Sequence, residues 1–218
     1  MAMQMGWGQP AKKTQAEKID ELMAYIQQGG SLGIEMEKSF EELPDKFVVL
    51  LETSTAQYDL IIANLVKNFQ KKGFTGIFVT LNKSGEDLVG MLQKSGIDRK
   101  GLFIIDAISK KIAKPVQGQN ISYVDSPQNL IEIEAVITDY AEDLPQGKGF
   151  LIIDSLSTLL VYNAEKTVEK FVHLLGEKMR AMGMKSIFTI RSNTKPETMD
   201  VLTQFCDKVI NMGSKINP

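Results

Sequence analysis

The sequence predicts an α/β fold built on a mostly parallel sheet, and three observations carry that prediction. Five strand-sized apolar runs recur along the chain, and helix-period segments separate them, the pattern of strand–helix–strand crossover units. The composition, 43% apolar and 24% charged over 218 residues, is that of an ordinary globular protein with enough chain to bury its own core.

The elements follow in order. The first dozen residues read as a loose tail, and residues 1–30 as a tail plus one amphipathic helix, with a single α/β domain over 31–218. Thr14 and Glu17 have capping-box spacing, and Ile19, Leu22, Met23 and Ile26 recur at helical intervals before Gly29-Gly30, which should end the helix. Its apolar stripe must lie on the following core or on another chain. After Pro44, Phe47–Leu51 is apolar throughout, as befits a strand buried on both faces. Leu60–Lys72 places Ile61, Ile62, Leu65, Val66 and Phe69 on one helical face, with Lys71-Lys72 in the last turn and Gly73 as terminator.

Ile77–Leu81 is the second strand, Glu86–Ser95 a short helix closed by Gly96, and Leu102–Ile105 the third strand. The polar stretch Ser109–Gln128, with Pro115, Gly118 and Pro127, reads as loop. Leu130–Leu144 has helical spacing through Ile133, Val136, Ile137 and Tyr140, and Phe150–Ile153 is a strand ending on Asp154. Val168, Phe171, Val172, Leu175, Met179 and Met182 mark the clearest amphipathic helix. Ser186–Ile190 is a further strand, and Val209-Ile210 starts a last one.

Whole classes of function drop out early. A single cysteine, Cys206, excludes a disulfide framework and a multi-cysteine zinc site, and His173 alone cannot build a metal centre. With 25 basic and 27 acidic residues the net charge is −2, far from the footprint of a dedicated nucleic-acid binder. No apolar run reaches the length of a membrane helix and no signal core opens the chain, so the expected location is cytoplasmic.

Ligands of open parallel sheets bind beyond the carboxyl ends of the strands. The positions to inspect are therefore Glu52–Asp59, Asn82-Lys83-Ser84, Asp154-Ser155 and Arg191-Ser192-Asn193. Ile77–Leu81 followed by Glu86-Asp87-Leu88, then Gly101–Ala107, Phe150–Leu160 and Cys206–Ile210, give the chain from Phe47 to Met212 a likeness through their order and spacing. It resembles the KaiC-type branch of the RecA-like ATPase superfamily. That resemblance implies a RecA-like parallel sheet flanked by helices, shortened at its C-terminal side, since the chain stops soon after Val209-Ile210.

The departures from the family pattern decide the functional expectation. The family's phosphate loop is GxxGxGK[ST], whose glycines turn backbone N–H groups toward phosphate and whose lysine and hydroxyl engage phosphate and Mg²⁺. Here Leu51, Ser54 and Ala56 stand at the glycine positions, Gln57 at the lysine and Tyr58 at the hydroxyl, with Asp59 placed to cap the following helix. Asn82 and Lys83 match the family's glutamate pair, and neither is a carboxylate base. Asp154 matches the aspartate that helps hold Mg²⁺ in active relatives; without its partners it reads as a strand-end residue bonding the next turn.

The resemblance therefore implies an inactive homologue of archaeal type with a degenerate phosphate loop: a pseudo-ATPase serving as a regulatory or scaffold module in signalling. No cofactor is expected. A protein partner is, such as an active RecA/KaiC-like relative, with a monomer or small oligomer in place of a nucleotide-dependent hexamer. The alternative is an atypical nucleotide-binding protein or weak ATPase using Asp154, Lys83 and Arg191, in which case ATP and Mg²⁺ bind near Gln57, Tyr58 and Asp59. A DNA-handling role is disfavoured by the neutral charge. His173 reads as solvated, Cys206 as a small buried side chain, Lys110, Lys111 and Lys114 as a solvated loop cluster, and Trp7 as a tail residue.

Overall fold

In the computed structural model, residues 30, 33–54, 57–111 and 120–212 are described. A helix over 33–41 (α1) leads into β1 (Phe47–Thr53), α2 (Tyr58–Lys71), β2 (Thr75–Thr80), α3 (Gly85–Lys94) and β3 (Leu102–Asp106). There follow β4 (Ile121–Tyr123), α4 (Leu130–Glu142), β5 (Gly149–Asp154), α5 (Leu156–Tyr162), α6 (Glu165–Ala181), β6 (Lys185–Arg191), α7 (Pro196–Thr203) and β7 (Lys208–Met212). The strands form one sheet in the order β4-β3-β2-β5-β6-β1-β7. Every pairing is parallel.

Alternation along each strand builds two cores. From β1, Val48 and Leu50 point to one face, where Leu130, Ile133 and Ile137 of α4, Leu159 of α5 and Phe171 and Leu175 of α6 cover the sheet. Phe47, Val49 and Leu51 point to the other face, against Met36 of α1, Ile61, Leu65 and Val66 of α2 and Leu88 and Leu92 of α3. Burial on both sides explains why the strands read as unbroken apolar runs. Close packing constrains β2: a Cβ on Gly76 would come within 2.0 Å of the Phe150 ring, which stacks on Phe69 at 4.6 Å between centroids.

Several expectations need correction. Ser109–Gln128 is not all loop. Ser109–Lys111 forms a 3₁₀ turn, and Ile121–Tyr123 adds an edge strand beside β3. A three-residue edge strand is too short to leave an alternating pattern; it is fixed by backbone bonds such as Ile104 N to Asn120 O (2.8 Å) and Val124 N to Asp106 O (3.0 Å). Helices α1, α5 and α7 were not anticipated, because α5 and α7 span only two turns and α1 presents just Met36 and Phe40 to the core. Gly30, expected to end a helix, is itself helical. The helix expected over Thr14–Gln28 lies outside the described residues, as do Trp7 and Lys114. Among the described residues no helix is long and apolar enough to cross a membrane.

Candidate functional site

Parallel pairing brings the carboxyl ends of β1, β2, β5 and β6 to one rim of the sheet, and a cleft of about 300 Å³ opens there. Thr53, Ser54, Tyr58, Asp59, Asn82 and Lys83 line it, with Ser155 and Arg191. Part of each strand-end stretch singled out in the sequence thus converges; Glu52, Gln57, Ser84, Ser192 and Asn193 are not among the lining residues, Asp154 is buried behind them, and Thr55 and Ala56 of the degenerate loop fall outside the described residues.

Asp154 closes β5 and is 2% exposed. Its Oδ1 accepts a hydrogen bond of 2.8 Å from the Asn82 side-chain amide, and the Tyr58 phenol lies near it. The Asp154 carboxyl is nonetheless raised above the ordinary aspartate range, chiefly because burial disfavours the charged form. The nearby Tyr58 hydroxyl, the Asn82 hydrogen bond and the positive charge of Lys83 offset only part of that. Tyr58 is partly buried with its hydroxyl end enclosed, 3.5 Å from the Thr189 hydroxyl. Burial, and then the nearby Asp154, hold its phenol well above the usual value. It is therefore a neutral hydrogen-bond donor at any ordinary pH.

Asn82 is held at both ends. Its amide nitrogen also reaches Ser155 Oγ at 3.3 Å, and its oxygen accepts from the Thr158 hydroxyl. Lys83 turns its ammonium to the Asp59 carboxylate. Its backbone oxygen is clamped by the Thr80 hydroxyl at 2.6 Å.

Asp59 itself corrects an expectation. Helix α2 begins at Tyr58, so Asp59 lies inside the first turn, and the N-cap residue Gln57 makes no side-chain cap bond. The carboxylate serves the lysine, not the helix end. Arg191 is exposed on the cleft; its backbone N–H donates to Ser157 Oγ at 2.9 Å. Among the described residues no group of acids, histidines or cysteine has the grouping a metal ion needs.

The other named residues stay apart from the cleft. His173 is exposed and stacks on Phe205 at 4.7 Å. Cys206 is only partly buried, and its thiol, pushed up to about 12 mainly by burial, donates to the Leu202 carbonyl. Lys110 pairs with Asp125 and, at 3.8 Å, with Glu132. One polar anchor escaped the sequence reading. Asp106, 1% exposed at the end of β3, accepts from Gly85 N (2.7 Å), Ile108 N and Ser109 N (both 2.9 Å) and the Ser109 hydroxyl (2.6 Å). An aspartate closing an apolar strand was the visible signal. Its use is structural, tying β3 to the start of α3.

Similar chains fit this geometry. A KaiC-like protein from the hyperthermophilic archaeon Pyrococcus horikoshii superposes with a TM-score of 0.59 at 18% identity, covering 81% of this chain and 76% of that one. An uncharacterized protein from Pyrococcus horikoshii, solved in complex with an unknown peptide, superposes with a TM-score of 0.65 at 13% identity, covering 84% of each chain. These likenesses establish the RecA-like α/β fold. No curated protein matches the sequence. A family profile matches residues 48–212, from the second residue of β1 to the last of β7. With that match spanning most of its length, the chain belongs to the family of unknown function DUF7504.

Proposed function

We propose that this chain is a non-catalytic RecA/KaiC-like protein, a pseudo-ATPase that acts as a regulatory or scaffold module by binding another protein in signalling. One observation carries the reading: the polar groups at the strand ends are bonded to one another. Asp154 is held by Asn82, Asn82 in turn by Ser155 and Thr158, and Lys83 by Asp59. A triphosphate would have to break the Lys83 pair to gain a cation, and it would meet the Asp59 carboxylate at the helix N-terminus, where anions otherwise bind. Neither Asn82 nor Lys83 can take a proton from an attacking water as a carboxylate does. The peptide held by the Pyrococcus horikoshii neighbour supports protein or peptide recognition as the retained role. The partner is an active RecA/KaiC-like relative or a similar regulatory protein, and the chain itself works as a monomer or small oligomer.

Thermal-shift titration with Mg-ATP and Mg-ADP tests the reading. A ligand at a hundred times its Kd adds about 2.7 kcal/mol of stability. An unchanged melting temperature at millimolar nucleotide is expected. Light scattering should show no hexamer appearing on addition of ATP.

Arg191 favours a second reading. Its guanidinium has no ion pair among the described residues and lies on a cleft that still measures about 300 Å³. In that reading Arg191, Lys83 and Asp154 hold a nucleotide in an unconventional pose. A clear thermal shift abolished by both Arg191→Ala and Asp154→Ala would replace the first reading with the second.

A further inference from the structure

A second groove lies on the opposite side of α2 from the sheet. It measures about 560 Å³ and runs between α1, the outer face of α2 and the C-terminal end of α3. Its apolar surface comes from Ile34, Leu60, Ala63 and Ile97. Ile34 is 59% exposed, unlike Met36 and Phe40 of the same helix, which turn to the core. The rim is cationic: Lys67, Lys71 and Lys94 are exposed and form no ion pair among the described residues. Among the described lining residues the one acid, Glu37, is engaged by Lys72 at 3.1 Å.

We propose that this groove is the docking site of the chain's own segment 14–28. Three features select that occupant. The segment's sequence carries one apolar stripe, Ile19, Leu22, Met23 and Ile26, of the kind a groove with an aliphatic floor accepts. Its other positions include Glu17, Asp20 and Glu21 against the single Lys18, so its charge complements the lysine rim. The segment is joined to the groove directly, because Gly30, two residues after Gln28, lines it. Tethering at the groove's edge makes docking intramolecular, with an effective concentration no free partner readily matches. Docking there would cover the outer face of α2, apart from the strand-end cleft.

Cysteine pairing in the full chain tests the assignment. In a Cys206→Ser background, Ile34→Cys is combined in turn with Ile19→Cys, Leu22→Cys, Ile26→Cys and, as an off-stripe control, Glu21→Cys. At least one stripe pair should close an intrachain disulfide at high dilution while the Glu21 pair does not. Closure only between chains would assign the groove to a second copy, and no closure, or equal closure by the control, would also overturn the proposal.

Lysine acetylation provides a readout independent of these cysteines. In the unaltered chain Lys67 and Lys71 should react more slowly than the exposed Lys166, and Leu22→Asp with Ile26→Asp should accelerate both several-fold without affecting Lys166. Equal rates with and without those substitutions would refute intrachain docking.

Discussion

Lys83 at the end of β2 and Asp59 in the first turn of α2 form an ion pair across the mouth of the strand-end cleft. The two side chains are 33% and 53% exposed, so water screens the pair and little of the fold's stability depends on it. Lys83→Ala should change the unfolding free energy by no more than about 1 kcal/mol, as read by urea denaturation. A loss several times larger would mean that the pair is part of the folding core.

Asp154 makes stability depend on pH in a defined direction. Its folded-state carboxyl is raised above the ordinary value of 3.8, chiefly by burial. The folded protein therefore holds this proton more tightly than the unfolded chain. The associated stabilisation is fully present below the unfolded value and is lost as pH rises through the folded one. Wild type measured against Asp154→Asn, whose side chain does not ionise, should thus be relatively less stable at neutral pH than near pH 4. Denaturation curves across that window check the sign, and a difference independent of pH would contradict it.

Tyr58→Phe removes the hydroxyl that favours the charged form of Asp154. The carboxyl should then rise further, and the same window should show a steeper loss of stability toward neutral pH. Urea titrations at two pH values separate this from a simple packing defect, which would shift both equally.

Gly76→Ala should be severe. The added methyl group would sit about 2.0 Å from the Phe150 ring, which is trapped between β2 and Phe69. Overpacking of this kind costs about 1–3 kcal/mol or more. Pairing it with Phe150→Leu, which vacates the space, should restore part of the loss in a double-mutant cycle.

Asp207 anchors the start of β1 from a distance. Its Oδ2 accepts from Val48 N at 2.7 Å and from Arg180 at 3.0 Å. Asp207→Ala should lower the unfolding free energy by about 1–3 kcal/mol, because the Val48 N–H loses its acceptor. Thermal unfolding of Asp207→Ala and Arg180→Ala should show the former as the more damaging.

The strands that sequence made legible are those buried on both faces, such as Phe47–Thr53 and Gly149–Asp154, where nearly every residue must be apolar. The short edge strand β4 and the two-turn helices α5 and α7 left no such imprint, since backbone pairing and neighbouring layers define them. The same division holds in the cleft. Tyr58, Asp59, Asn82, Lys83 and Asp154 could be placed at strand ends from local pattern alone. The pairing of Lys83 with Asp59, and of Asn82 with Asp154 and Thr158, could not, because strand order sets which ends are neighbours.

Strand β1 takes both of its neighbours from far along the chain: β6, beginning with Phe47 opposite Lys185, and β7, beginning with Val49 opposite Lys208. During synthesis, then, β1 waits for two strands that are made far later. Until β6 and β7 are made its two edges lack these strand partners, and such long-separated partners assemble slowly. Newly made protein should accordingly depend on chaperone protection during synthesis more than its modest size suggests.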